Sequence, residues 1–272
     1  MSPMNQPQKP FLVACLQMQP QPADIDANLA RISAAAASAG AMGAQLLVTP
    51  EMGVTGYAIW DWIAQLAQPR DGAIVQRLVA IAQEHRIALV AGFPERCGDT
   101  VYNSAVLVEA DGTTVFYRKC HVYGPLENAA FSKSSTHSEI IEIAGIKAAM
   151  LICYDVEFPE MVRAAVLAGA QMLLVPTALP RSAPSHRVAM SMVPTRAFEN
   201  NVFIIYSGLC GVENATPYQG NSVIVGPDGE DLARAGMDET LLLATLDPAR
   251  FGALQLDPYL RDRRPELYGR LV

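Results

Sequence analysis

Short apolar runs alternate with segments of helical periodicity along most of the chain, and this alternation restricts the fold more than any other sequence feature. Runs with the length of buried strands lie at residues 11–17, 45–49, 87–92, 147–153, 171–176 and 202–207. Between them, apolar residues recur three and four positions apart, which indicates helices at 26–44, 73–85, 159–168 and 190–199. Strands that alternate with helices predict an α/β protein.

Two Asp-Gly pairs interrupt the alternation and predict β-hairpins. Asp111-Gly112 and Asp228-Gly229 each lie between two strand-like runs. Asp-Gly favours the tight turns of hairpins, because these turns need positive φ angles that the two residues tolerate. A chain that combines hairpins with strand–helix–strand units forms mixed sheets, and we expect two of them in one domain.

The composition indicates a large core and argues against several classes of partner. Charged residues make up 17% of the chain, compared with about 25% in an average protein, while apolar residues make up 51%. The net charge of −7 and the short basic runs argue against nucleic acid as a partner. No uninterrupted apolar run reaches the length of about 18 residues that a membrane span needs.

The chain is expected to consist of one domain after a short tail. Residues 1–10 contain several prolines and no apolar segment typical of a secretory signal. We therefore expect a flexible N-terminal tail at 1–10, a single domain at 11–272 and a cytoplasmic location. The five cysteines include no C-x-x-C pair, so the sequence favours neither disulfides nor a thiolate zinc site.

The sequence contains none of the common cofactor motifs. It lacks G-x-G-x-x-G, the P-loop pattern and H-E-x-x-H, and its four histidines do not cluster. We therefore expect neither a nucleotide cofactor nor a metal.

Three residues with complementary chemistry lie at the carboxyl ends of different predicted strands: Glu51, Lys119 and Cys153. Ligands of α/β folds usually bind at such ends. A thiol is only slightly ionised at neutral pH and needs a base, which a buried carboxylate can supply. An ammonium group can stabilise the oxyanion of a tetrahedral intermediate. Each residue alone is better explained by a buried thiol or a solvated charge, but the three together predict nucleophilic catalysis.

The segments around these residues resemble the signature blocks of the nitrilase superfamily of carbon–nitrogen hydrolases. The similar segments are Pro50-Glu51, Tyr117-Arg118-Lys119, Ile152-Cys153-Tyr154-Asp155 and, for the loop with the second glutamate of that family, Gly124-Pro125-Leu126-Glu127. The resemblance implies a four-layer α-β-β-α sandwich with two mixed sheets. It also implies that residues 11–272 are a single carbon–nitrogen hydrolase domain, and that the chain forms a homodimer or a higher homo-oligomer.

The resemblance also implies a mechanism that needs no cofactor. Cys153 would attack a carbonyl or nitrile carbon, and Glu51 would take the thiol proton. Lys119 and the backbone N–H of Tyr154 would hold the oxyanion, and a thioester would form and be hydrolysed. Glu127 would position the substrate or Lys119.

The residues that follow Cys153 bear on the small-molecule substrate. Carbamoylases of this superfamily typically carry arginines where this chain has Val156 and Glu157. Glu157 would repel a carboxylate and attract an ammonium group, unless it simply pairs with a nearby arginine. The segment resembles amidases that act on small or amino-acid-like amides, so we expect an amidase. A nitrilase or an N-carbamoyl amine hydrolase with the same triad is the alternative.

The wall of the substrate pocket is expected to lie near the triad. The candidates are Tyr57, Trp60, Tyr154, Thr177 and Ala178. Members of the superfamily often have an aromatic residue in the stretch after Pro176, where this chain has Thr177 and Ala178. We therefore expect a roomier or more apolar pocket.

Overall fold

A computed structural model describes residues 9–252 and 258–269. The predicted tail at 1–10 lies outside the described residues, except for Lys9 and Pro10, which are exposed. No helix in the described ranges is long and apolar enough to cross a membrane.

Strands and helices are numbered in chain order. The strands are β1 (Phe11–Gln17), β2 (Leu46–Val48), β3 (Ala88–Cys97), β4 (Thr100–Val108), β5 (Thr114–Arg118), β6 (Ile141–Ile143), β7 (Ile146–Met150), β8 (Met172–Thr177), β9 (Phe203–Gly208), β10 (Val212–Glu213), β11 (Thr216–Pro217), β12 (Val223–Val225), β13 (Asp231–Arg234) and β14 (Thr240–Leu246). The α-helices are α1 (Ile25–Ala41), α2 (Ile63–Leu66), α3 (Ala73–His85), α4 (Gly124–Ala130), α5 (Pro159–Leu167), α6 (Ala183–Arg187), α7 (Val193–Asn200) and α8 (Pro258–Arg261). A turn of π-helix covers Val188–Met192, and short 3-10 helices cover Cys153–Glu157, Pro248–Gly252 and Pro265–Leu267.

Two six-stranded mixed sheets form the centre of the fold, as predicted. One has the strand order β14-β1-β2-β3-β4-β5 and the other has the order β13-β12-β9-β8-β7-β6. In the first sheet β1, β2 and β3 are parallel, and in the second β7, β8 and β9 are parallel. The outer strands pair antiparallel. Hairpins add β4, β5, β6 and β13, whereas β12 pairs with β9 after a longer connection and β14 pairs with β1 from a distant part of the chain.

The alternation of side chains along β1 shows how the layers are stacked. Val13 and Cys15 point into the core shared by the two sheets, and the thiol of Cys15 donates to the carbonyl of Tyr206 in β9. Ala14 and Leu16 point the other way, against the buried faces of α1 and α3. Helices α5 and α7 cover the second sheet in the same manner. These contacts give the four layers α-β-β-α.

This topology brings the carboxyl ends of two strands of the first sheet to one edge. Strand β5 is antiparallel to β4, which is antiparallel to β3, so β5 runs in the same direction as β2. The carboxyl ends of β2 and β5, which precede Glu51 and Lys119, therefore lie at the same edge of the first sheet.

Several element boundaries differ from the sequence prediction. The strand predicted at 147–153 ends at Met150, and Cys153 begins a 3-10 helix instead, because the carboxylate of Asp155 accepts a hydrogen bond from the N–H of Ile152. The sequence pattern does not predict β14, whose successive leucines show neither strand alternation nor helical spacing. It pairs with β1 over seven residues.

Candidate active site

Glu51 directly follows β2 and Pro50, and it is fully buried. Its main chain passes so close to Gly92 of β3 that a Cβ atom on Gly92 would lie 2.8 Å from the Cα of Glu51. Real Cβ atoms essentially never approach another atom closer than 3.0 Å, so a larger residue would displace the backbone here. Gly92 therefore helps to place Glu51, although no sequence motif marks it.

Lys119 follows β5, and its ammonium group joins two buried carboxylates. Its Nζ donates to Oε1 of Glu51 at 2.7 Å and to Oε1 of Glu127 at 2.8 Å. Burial acts to lower the pKa of Lys119, but the charges of Glu51 and Glu127 outweigh burial and raise the pKa above its usual value. The ammonium group therefore keeps its proton at neutral pH and supplies a fixed positive charge.

Asn103 of β4 completes this network and was not among the residues predicted from the sequence. Its Nδ2 donates to Oε1 of Glu51 and to Oε1 of Glu127, both at 2.7 Å. The backbone N–H of Lys119 donates to the carbonyl of Asn103 at 2.9 Å, so strand pairing places the two side chains together. An isolated asparagine carries no motif, and the pairing of β4 with β5 is the signal that identifies it.

One oxygen of Glu51 is left without a hydrogen-bond partner among the described residues. This buried oxygen is Oε2. Burial raises the pKa of Glu51; Lys119 acts against this rise and Glu127 adds to it, so the pKa stays above its usual value. A carboxylate with a free oxygen and a raised pKa is a stronger base than an ordinary glutamate and is suited to accepting and returning a proton.

Cys153 occupies a strained turn beside these groups. Its φ of +45° is a left-handed conformation that is uncommon for residues other than glycine. Burial, together with the charge of Glu51, raises the pKa of the thiol well above its usual value, while Lys119 and a hydrogen bond from the backbone of Ala178 act to lower it. The thiol is therefore protonated at neutral pH and needs a base to become a nucleophile.

Asp155 supports the turn that carries Cys153. Its Oδ2 accepts from the N–H of Ile152 at 3.1 Å, and its Oδ1 accepts from the backbone N–H of His121 at 2.8 Å. Because His121 lies two residues after Lys119, this buried carboxylate connects the turn of the thiol with the segment of the lysine.

Cys153 lines a cavity of about 230 Å³. Four residues predicted to contact substrate also line it: Tyr57, Tyr154, Glu157 and Ala178. The exposed Tyr123 belongs to the lining as well and was not among the predicted residues. A volume of this size suits a small molecule, because larger ligands occupy pockets of roughly 300 Å³ or more.

Two predicted substrate residues lie outside the lining of this cavity. Thr177 is fully buried in β8, one residue before the lining residue Ala178. Trp60 lines an adjacent cavity of about 180 Å³ and packs edge-on against Tyr57, with the ring centroids 5.1 Å apart. Because Tyr57 and Tyr123 line both cavities, Trp60 is a neighbour of the Cys153 cavity and not part of its wall.

A second buried carboxylate anchors Tyr57 and was not predicted. Oε2 of Glu213 accepts from the N–H of Tyr57 at 3.0 Å and from the N–H of Ala58 at 3.1 Å. The hydroxyl of Tyr218 donates to the same oxygen at 3.1 Å. Glu213 lies in β10, far from Tyr57 in the sequence, so its contact with the Tyr57 loop depends on tertiary structure.

The cluster combines a thiol, a carboxylate with a free oxygen and a fixed ammonium group, which is the set of groups that nucleophilic acyl transfer needs. Within residues 9–252 and 258–269, no group of three or more His, Cys, Asp or Glu side chains is arranged to hold a metal ion.

Comparisons with known proteins show the family to which the chain belongs. Residues 12–255 match the model of the family described as carbon-nitrogen hydrolase. A protein named "Hydrolase in pqqF 5'region" from Pseudomonas protegens is 42% identical over 96% of this chain and 91% of its own length. An (R)-stereoselective amidase from Pseudomonas sp. is 33% identical over 94% of this chain and 93% of its own length.

A solved structure is also similar to this chain. It is a double mutant of the amidase from Nesterenkonia sp. AN1 in complex with acrylamide, in which a glutamate is replaced by glutamine and a cysteine by alanine. The TM-score is 0.89, with 37% identity over 97% of each chain.

Proposed function

This chain belongs to the carbon–nitrogen hydrolase family and is an amidase-type member of the nitrilase superfamily, and on that premise we propose that it hydrolyses a small carboxamide to the carboxylic acid and ammonia. The observation that carries the proposal is the contact of Lys119 with Glu51 and Glu127 beside the thiol of Cys153. The cavity of about 230 Å³ at this thiol leaves room for a small acyl group.

In the first half of the proposed reaction, Cys153 becomes acylated. Oε2 of Glu51 takes the proton from the thiol while the sulfur attacks the carbonyl carbon of the amide. The oxyanion that forms is stabilised by the ammonium group of Lys119 and by the backbone N–H of Tyr154. Tyr154 lies in the first turn of a 3-10 helix, where backbone N–H groups have no acceptor within the helix.

The tetrahedral intermediate then collapses. Glu51 returns its proton to the amide nitrogen, the C–N bond breaks, and ammonia leaves with an acyl thioester remaining on Cys153. Glu51 next takes a proton from a water molecule that attacks the thioester, and the proton passes to the sulfur as the carboxylic acid leaves. The free thiol and the carboxylate are thereby restored, and no external reductant or cofactor enters the balance.

Glu127 and Asn103 act on this chemistry through Glu51 and Lys119. Lys119 donates hydrogen bonds to both carboxylate oxygens of Glu127, which keeps its ammonium group directed at the site. Asn103 fixes the Oε1 atoms of the two glutamates, which leaves Oε2 of Glu51 as its free oxygen. Both residues are therefore proposed as positioning residues.

The experiment is an ammonia-release assay on the purified protein. Propanamide, propanenitrile and an N-carbamoyl amine would be compared, and an amidase is expected to release ammonia from the amide alone. Acid formed from the nitrile would favour the nitrilase alternative, and turnover of the carbamoyl compound would favour the third alternative. Cys153→Ala should abolish release, and the exposed Cys97, changed to Ala, is the matched control. Equal activity of both variants would contradict the proposal.

We also propose that two copies of the chain associate. The surface between α5 and the C-terminal segment exposes large apolar side chains, among them Leu167, Tyr259 and Tyr268, around a groove of about 630 Å³. Size-exclusion chromatography with light scattering measures the molar mass of the assembly in solution. If this surface is the interface, Leu167→Glu should lower that mass towards the mass of a single chain. The cytoplasmic location stays a prediction.

A further inference from the structure

The carboxylate of Glu157 takes no part in the proposed proton transfers, yet it faces the same cavity as the nucleophile. It lies four residues after Cys153 in the same 3-10 helix and lines the cavity of about 230 Å³. Within the described residues, no hydrogen bond or ion pair joins this carboxylate to another side chain or to the backbone. A partly buried carboxylate without such a partner loses hydration and has no hydrogen bond to replace it.

Arg196 is the cation that would be expected to neutralise Glu157, but it is engaged elsewhere. Its Nη1 donates to Oε1 of Glu199 at 3.0 Å. Its Nε and Nη2 donate to the backbone carbonyls of Val156 and Glu157 at 3.2 and 2.8 Å. Arg196 therefore holds the backbone of the 3-10 helix and forms its ion pair with Glu199 instead of with the carboxylate of Glu157.

Lys119 is the other cation that acts on Glu157, and it is also engaged. Its ammonium group already donates to Glu51 and Glu127. Burial raises the pKa of Glu157, and Lys119 and Arg196 oppose this rise without cancelling it. Apart from the Arg196–Glu199 ion pair, the cavity and the cluster behind it hold three carboxyl groups, those of Glu51, Glu127 and Glu157, and one ammonium group, that of Lys119. This balance favours a positively charged ligand.

We infer that Glu157 makes this enzyme selective for carboxamides that carry a protonated amine near the scissile bond, such as amides of amino acids. The inference rests on the proposed function, because it names the substrate class of the same site. An ammonium group of the substrate would form the charge-assisted hydrogen bond that Glu157 lacks. A carboxylate at the same place would be repelled, which disfavours N-carbamoyl amino acids.

The test uses two pairs of achiral amides of equal shape. In each pair an ammonium group replaces a methyl group: 2-aminoacetamide with propanamide, and 3-aminopropanamide with butanamide. The measured quantity is the ratio of kcat/KM for the amino amide to kcat/KM for its neutral partner at pH 7. Glu157→Gln should lower this ratio about tenfold or more in at least one pair, because the amide side chain keeps the shape and loses the charge. Glu160→Gln is the matched control, since Glu160 is exposed and lies outside this cavity, and it should leave the ratio unchanged.

A binding measurement separates this inference from the proposed function. Calorimetric titration of the same amides into Cys153→Ala, with and without Glu157→Gln, reports recognition without turnover. Tighter binding of an amino amide than of its neutral partner, lost with Glu157→Gln, supports the inference even if no amide is hydrolysed. Ratios and binding that do not respond to Glu157→Gln overturn it, while ammonia release from all four amides would leave the proposed function intact.

Discussion

The hydroxyl of Tyr117 donates a 2.8 Å hydrogen bond to Oδ2 of Asp155. Tyr117 belongs to β5 of the first sheet, two residues before Lys119, and Asp155 lies two residues after Cys153 at the end of the second sheet. Both side chains are buried. This contact therefore connects the two sheets at the point where the ammonium group and the thiol must be held at a fixed distance.

Asp155→Asn is expected to lower kcat about a hundredfold, because misplacement of reacting groups by about 1 Å costs roughly that factor. Asparagine would turn an amide donor towards either the N–H of Ile152 or that of His121, both of which need an acceptor. Since Asp155 does not line the cavity, KM should change less than kcat. Tyr117→Phe removes a single hydrogen bond and should cause a smaller loss. A wild-type kcat in Asp155→Asn would contradict this role.

The pH profile of kcat/KM should reflect the raised pKa of Glu51. Burial and Glu127 keep this pKa above the ordinary glutamate value despite Lys119, and the base must be ionised to accept the thiol proton. Activity should therefore fall with decreasing pH along an acidic limb whose midpoint lies above about 4.5, the value for a glutamate in water. A profile that stays flat down to that pH would show that Glu51 is not the base.

Glu127→Gln should shift the acidic limb of the kcat/KM profile to lower pH. The negative charge of Glu127 contributes to the raised pKa of Glu51, so removing the charge should lower this pKa and move the limb to lower pH. The maximal kcat should fall as well, because Lys119 loses one of the two carboxylates that hold it. Glu109→Gln, at the partly exposed turn between β4 and β5, is a control for the loss of one negative charge. A limb that moves to higher pH would contradict the arrangement.

Gly92→Ala should reduce activity although Gly92 contributes no functional group. The added Cβ would lie 2.5 Å from the backbone nitrogen of Met52 and 2.8 Å from the Cα of Glu51, and backbone atoms cannot rotate away. We expect a loss of kcat of about a hundredfold and a lower melting temperature, since overpacking a buried site costs about 1–3 kcal/mol. Gly236→Ala is the matched control, because a Cβ there meets no atom within 4 Å. Equal activity of both variants would show that Glu51 tolerates the shift.

The sequence predicts the fold and part of the candidate site because both depend on local patterns. Helix α3 follows from apolar spacing and has the predicted bounds, and the helix predicted at 26–44 is α1, which runs from Ile25 to Ala41. Glu51, Lys119 and Cys153 stand out because each lies at the carboxyl end of a predicted strand. Asn103 and Glu213 act through contacts between distant parts of the chain, so no spacing or periodicity indicates them.

Glu213→Gln should keep the Tyr57 loop in place and remove a buried charge. The glutamine oxygen can accept the same hydrogen bonds from Tyr57, Ala58 and Tyr218. Burial raises the pKa of Glu213 above its ordinary value, and these hydrogen bonds only partly oppose the rise. The folded protein therefore binds the proton of Glu213 more tightly than the unfolded chain does.

Because the pKa of Glu213 is higher in the folded protein than in the unfolded chain, the stabilities of wild type and Glu213→Gln should depend differently on pH. The stabilising contribution of protonated Glu213 is fully present below the pKa of the unfolded chain and is lost as pH rises through the raised pKa of the folded protein. Thermal unfolding of both proteins should therefore show Glu213→Gln gaining stability relative to wild type as pH increases across that window. Glu213→Ala is the contrasting variant: it leaves the N–H groups of Tyr57 and Ala58 without their acceptor, and it should be less stable at every pH and raise KM. If the unfolding temperatures of Glu213→Gln and wild type depend on pH in the same way, burial does not raise the pKa of Glu213 in the folded protein.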